Sequence, residues 1–184
     1  AMLTHNNIVN NGRFIGERLN FSHSDTLCIP VPFFHCFGYI LGVMACVTHA
    51  STMVPLVSFE PLQVMQALEQ EKCTAVHGVP AMFIAMLQHP EFNKFNFAHV
   101  RTGVMAGSPF PVAVMQQVIE KMQIKELTIA YGLTEASPVC TQTCADDSLK
   151  LRLATAGRAL PGVECKIVDL ETGKECPPHV VGEF

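Results

Sequence analysis

The chain has 184 residues, 49% of them hydrophobic and only 15% charged, with a formal net charge of −4. That length suits one domain with a sizeable core, and an acidic balance with no Lys/Arg cluster disfavours nucleic acid and anionic membrane as partners. The longest apolar run, Cys36 to Val47, falls short of the roughly 20 residues needed to cross a bilayer, so no transmembrane segment is expected. The eight cysteines are scattered without a CxxC pair and read as reduced core residues of an intracellular, cytoplasmic protein. Cys140 and Cys144 have no histidine or second pair nearby in the sequence to complete a zinc site. High apolar content with few charges also implies surface that packs against further parts of a longer chain.

In chain order, Leu3 to Leu19 suits a helix with Thr4 as its N-cap. "TLCIPVPFF" reads as a strand closed by two prolines, and an apolar helix follows from Phe37 to His49. Next come a short strand "STMVPL", a helix opened by Pro61 with Leu62, Met65 and Leu68 at helical spacing, and a strand "CTAVHGVP", which together make a βαβ unit. Pro80 opens a helix to about Gln88, "HVRTGVMAG" is a strand, Pro111 opens a helix to about Met122, and "ELTIAYG" is another strand. Repeated βα units predict an α/β fold, a parallel sheet flanked by helices, over residues 1–145. From Asp146 "DDSLK" reads as a polar loop, and "GVECKIVDLETGKECPP" has the alternation and turn chemistry of an antiparallel hairpin. Residues 146–184 are therefore expected to begin a small β-rich subdomain.

Open parallel sheets bind ligands beyond the carboxyl ends of their strands. That edge collects "PFFHCFG", "HGVPAM", "MAGSPFP" and "AYGLTEASP". In the last, Tyr131 offers a face for a flat base, Gly132 lets a ligand approach the backbone, Thr134 has a hydroxyl for an oxyanion, and Glu135 a carboxylate for a divalent cation. Ala106, Gly107 and Ser108 sit between a strand and a proline-opened helix, where small side chains expose backbone groups. These chemistries describe a nucleotide with its metal.

"YGLTE", the preceding "AGSP", "PFFHCFG" and "AGRALPGVECKIVD" resemble, in order and spacing, the signature motifs of the acyl-CoA synthetase branch of the adenylate-forming enzymes. The resemblance spans essentially the whole chain, and "AGSPFP" and "YGLTEASPV" are most similar to the medium-chain acyl-CoA synthetases. It implies a ligase that joins a carboxylic (fatty) acid to ATP, releases pyrophosphate, and passes the acyl group from the adenylate to coenzyme A. It assigns Tyr131 to adenine stacking, with Ala106, Gly107 and Ser108 along the same base. Thr134 becomes the phosphate-bonding hydroxyl, Glu135 the magnesium carboxylate, and His35 the histidine beside the carboxylate being activated. His77 and Gly78 are expected to face the same pocket, His77 as wall and not catalyst. Gly132 and Ala136 would leave room for an acyl chain, and Met82 would line it.

The family's Ser/Thr/Gly-rich phosphate loop is expected immediately before Ala1, and its ribose-binding aspartate and C-terminal domain after Phe184. The chain is thus expected to be a central piece that does not turn over alone and that lacks the remainder of its own chain as partner. A ligase that hands its acyl group to a carrier protein or an amine, and a nucleotide-binding module without catalysis, remain alternatives.

Overall fold

A computed structural model describes all 184 residues. The first helix, α1 (His5–Arg18), starts where the Thr4 side chain accepts the Asn7 N–H. Five short strands follow, β1 (Thr26–Ile29), β2 (Thr52–Pro55), β3 (Ala75–Gly78), β4 (Thr102–Met105) and β5 (Glu126–Gly132), and all pair in parallel. Between them lie α2 (Ala45–His49), α3 (Pro61–Gln70), α4 (Pro80–Leu87) and α5 (Val112–Lys121). Pro61 and Pro80 occupy the first turns of α3 and α4, where a missing N–H costs nothing. Glu60 caps α3 by accepting the Gln63 N–H.

The sheet is mixed rather than purely parallel. Two strands, β6 (Val139–Gln142) and β7 (Arg158–Ala159), extend it antiparallel beyond β5, giving the order β2-β1-β3-β4-β5-β6-β7. β6 can run antiparallel because the chain turns back directly after β5. Where the sequence reads as a polar loop, Ser148 caps a helix, α6 (Leu149–Ala154). Arg152 of that helix is buried and donates to the carbonyls of Leu127, Lys125 and Asp147, so the segment is pinned to the sheet. Where the hairpin is expected, the chain makes a tight turn held by isolated bridges, with no regular strand on either side. Asp169 accepts from Glu171 and Thr172, and Val168 forms antiparallel bridges to Glu175 and Glu183.

Helices cover both faces. On one, Val64, Met65 and Leu68 of α3, Phe83 and Met86 of α4, and Met115 and Val118 of α5 close over Cys28, Val76, Met105 and Leu127. On the other, Ile15 of α1 packs with Phe37, Ile40, Leu41 and Ala45 over Ile29, Ala75, Val104 and Ala130. Asn11 is buried within this second layer. Its amide donates to the Val139 carbonyl at 2.9 Å and accepts the Val139 N–H at 3.1 Å, sewing α1 to β6. The predicted helix over Phe37–His49 forms as one run, but Phe37–Met44 is π-helical before α2 begins. At the amino ends of the strands, buried Asp25 receives Arg101 and Thr74, and Arg101 also reaches Glu126. The opposite edge is left to the loops.

Candidate active site

The carboxyl end of β5 carries the site because its pairing with β6 slips between Tyr131 and Gly132. Such a bulge re-aims the side chains around it. Gly132 is required there. A Cβ would lie 2.0 Å from the Pro138 carbonyl oxygen, while Leu133 N–H donates to that same oxygen at 2.9 Å to close the loop. Within the loop, Thr134–Ala136 form a single 3-10 turn that leaves Thr134 and Glu135 exposed.

Two cavities meet at this strand end. The first, of about 180 Å³, has His35, Cys36, Phe37 and Leu41 on one side and residues 130–134 on the other, with Ala106 and Gly107 between. The second, of about 380 Å³, lies between residues 107–110 and residues 129–132, with Ala156 at its edge. Ala130, Tyr131, Gly132 and Gly107 border both. Gly107 has φ +89°, a left-handed conformation that favours glycine and turns the β4–α5 loop toward Tyr131. Tyr131 is 44% exposed, and the Phe184 ring meets its ring edge-on at 5.0 Å.

His35 accepts the Phe37 N–H at Nδ1 at 3.0 Å. That bond places the proton of the neutral ring on Nε2 and leaves this nitrogen free for a ligand. Sequence reasoning missed Cys36, whose sulfur lies 3.7 Å from His35 Nδ1 and 3.6 Å from Thr134 Oγ1. Its place beside His35 in "PFFHCFG" was the available signal. Glu135 forms no ion pair, and no group of three or more His, Cys, Asp or Glu gathers elsewhere to hold a metal.

Four expected pocket residues lie outside the His35 cavity. His77 is fully buried behind it, stacked on Phe21 and tilted against Phe37, and burial pulls its pKa down to about 4. The β3–β4 ladder and the π-helix close over it, so it is core and not wall. Gly78 and Met82 turn inward because α4 starts two residues after β3. A Cβ on Gly78 would lie 3.1 Å from the Phe83 ring, and Met82 packs with the Ile15 and Phe37 layer. Ala136 borders a third cavity of about 440 Å³, between Asn6 and Asn10 of α1 and residues 161–163.

The model of the AMP-binding enzyme family matches residues 1–184. The chain belongs to the AMP-binding enzyme family. It is 53% identical over its full length to the Bacillus subtilis protein YngI, provisionally named an acyl-CoA synthetase, and spans 34% of that relative. It is 48% identical over 93% of its length to the acyl-CoA ligase sidI of Aspergillus fumigatus, of which it spans 29%. Across its full length it is 40% identical to the mitochondrial medium-chain acyl-CoA ligase ACSF2 of Danio rerio, spanning 31%. The chain thus covers about a third of the length of these relatives. Among solved structures, ATP-bound MatB from Rhodopseudomonas palustris superposes with a TM-score of 0.86 at 26% identity, over 99% of this chain and 35% of that one.

Proposed function

We propose that this chain forms the central part of an acyl-CoA synthetase that activates a carboxylic acid of the fatty-acid class with ATP and transfers the acyl group to coenzyme A. One observation carries the reading: Tyr131 and Gly132 are the shared wall of two cavities, one faced by His35 and apolar side chains, the other by small residues of the β4–α5 loop. In this reading the larger cavity takes adenine, between the Tyr131 ring and the backbone of Gly107 and Ser108, and the smaller takes the acid. The α-phosphate then lies at the junction, within reach of the Thr134 hydroxyl.

The chemistry asked of these residues is positioning and charge compensation. A carboxylate oxygen attacks the α-phosphorus, the bond to the bridging oxygen breaks, and pyrophosphate leaves with the electron pair. His35 Nε2–H donates to the carboxylate and aims it, while Thr134 holds a phosphate oxygen in line. Glu135 is exposed and unpaired, which fits a magnesium ion that takes most of its ligands from water and phosphate. When bound, that ion neutralises charge on the phosphates. The names of the relatives support coenzyme A as acceptor and fatty acids as substrates. Exposed apolar side chains such as Phe34, Val57 and Val181 support a chain that packs against further parts of a longer protein. Alone, the chain is not expected to turn over.

Calorimetry with a non-hydrolysable acyl-sulfamoyl adenosine, on a protein extended through its neighbouring sequence, tests the adenine assignment. Loss of one stacking partner in Tyr131→Ala should weaken binding about 10- to 100-fold. Unchanged affinity would remove the base from this cavity.

A further inference from the structure

Two of the four side chains on the His35 side of the smaller cavity, Phe37 and Leu41, belong to the π-helical segment Phe37–Met44. Ala106 and Gly107, which lie between that side and residues 130–134, directly follow β4. One side chain joins these two parts, and it touches neither substrate cavity. His77 donates from Nε2 to the Leu41 carbonyl at 2.9 Å and accepts the Val104 N–H at Nδ1 at 3.2 Å. The two bonds fix the neutral tautomer and use both nitrogens. The imidazole is fully buried, stacked on Phe21 at 6.4 Å between centroids and 5.9 Å from Phe37.

We infer that His77 is a positioning residue for the carboxylic-acid cavity, holding the π-helical wall at its working distance from the sheet through the Leu41 carbonyl. The inference rests on reading the His35 cavity as the acid's. The wider turns of a π-helix are uncommon and recur at functional sites. Here the segment leads straight out of His35 and Cys36, and nothing on its sheet side other than His77 donates a side-chain hydrogen bond to it. The bond to Val104 lies inside a ladder already held by β3–β4 pairing, where His77 faces Val104 in register. The bond to Leu41 is the one that bears on the cavity.

Two conservative variants separate the bonds, because a glutamine amide reaches about as far as Nε2 and an asparagine amide about as far as Nδ1. In the extended protein, kinetics are measured by acid-dependent exchange of pyrophosphate into ATP, beside thermal melts. His77→Gln and His77→Asn should melt at similarly reduced temperatures, since each loses one buried bond. His77→Asn should raise KM for the acid about tenfold, the equivalent of one net hydrogen bond, with KM for ATP within about twofold of wild type. His77→Gln should keep both values within about twofold. Equal effects of the two variants on the acid, or a parallel rise in KM for ATP, would overturn the inference. Should His77→Asn not fold, Phe21→Leu decides, because it loosens the ring stack without touching the cavity. A selective rise of about two- to threefold in KM for the acid is expected, and no change overturns the proposal. Absence of exchange in the wild-type extended protein would instead overturn the reading on which the inference rests.

Discussion

Lowering the pH from about 7 to about 4.5 should weaken the fold through His77 in particular, and the size of the effect can be worked from its surroundings. The ring is fully buried, and its two nitrogens are occupied by a carbonyl and an N–H that cannot both be satisfied by an imidazolium. Burial lowers its pKa from 6.5 to about 4, against a smaller opposing effect of the hydrogen bond to the Leu41 carbonyl. The unfolded chain therefore takes up the proton first. Stability is complete above about pH 7, falls as the pH drops through 6.5, and stops falling from this source near 4. At about 1.4 kcal/mol per pH unit, the loss by about pH 4.5 is on the order of 2–3 kcal/mol. Urea denaturation followed by circular dichroism at a series of pH values measures it directly. His77→Gln should be less stable at neutral pH yet lack this slope, so the two curves should converge on acidification. Parallel curves for wild type and His77→Gln between about pH 7 and about pH 4.5 would show that the buried neutral ring is not the source of the acid sensitivity.

Other perturbations follow from the same geometry. Gly132→Ala should open the loop that closes on Pro138, because its Cβ would lie 2.0 Å from a backbone oxygen. Melting should show a loss of about 2 kcal/mol or more. Arg101→Met should cost about 2–3 kcal/mol in a denaturant titration, because it strands the Asp25 carboxylate, whose side chain is only 5% exposed. Burial pushes the Asp25 pKa up, but hydrogen bonds from Arg101 and Thr74 outweigh it and hold the group below 3.8. That contribution is therefore present at neutral pH and lost only as the pH falls below 3.8 toward the folded value. Glu135→Gln should leave the melting midpoint almost unmoved, within about 0.5 kcal/mol, since the side chain is exposed and unpaired.

Much of this architecture is legible in the chain because its signals are local. Thr4 caps α1, Pro61 and Pro80 open α3 and α4, and apolar runs between them mark the parallel strands. The converging loops at the carboxyl edge then gather His35, Gly107, Tyr131 and Thr134 around one cavity. What escapes the sequence depends on tertiary partners. Residues 146–150 read as a polar loop, yet Ser148 and buried Arg152 make the segment from Leu149 helical. β6 is four residues whose pairing depends on the bulge at Gly132. His77 sits at a strand end, where sequence alone places it in the pocket, and only the π-helix folding over it makes it core. Gly78 and Met82 turn inward for a different reason, since the first turn of α4 begins before the loop can reach the cavity.

In the proposed function, Tyr131, Thr134, Glu135 and His35 serve carboxylate activation by ATP. Its most direct test is acid-dependent exchange of labelled pyrophosphate into ATP by the extended protein, compared with the same protein carrying Glu135→Gln. Exchange should require a fatty acid and fall at least about 100-fold in the variant, the scale of losing one charge-stabilising group. Exchange absent from the wild-type protein, or unaffected by Glu135→Gln, would contradict this function.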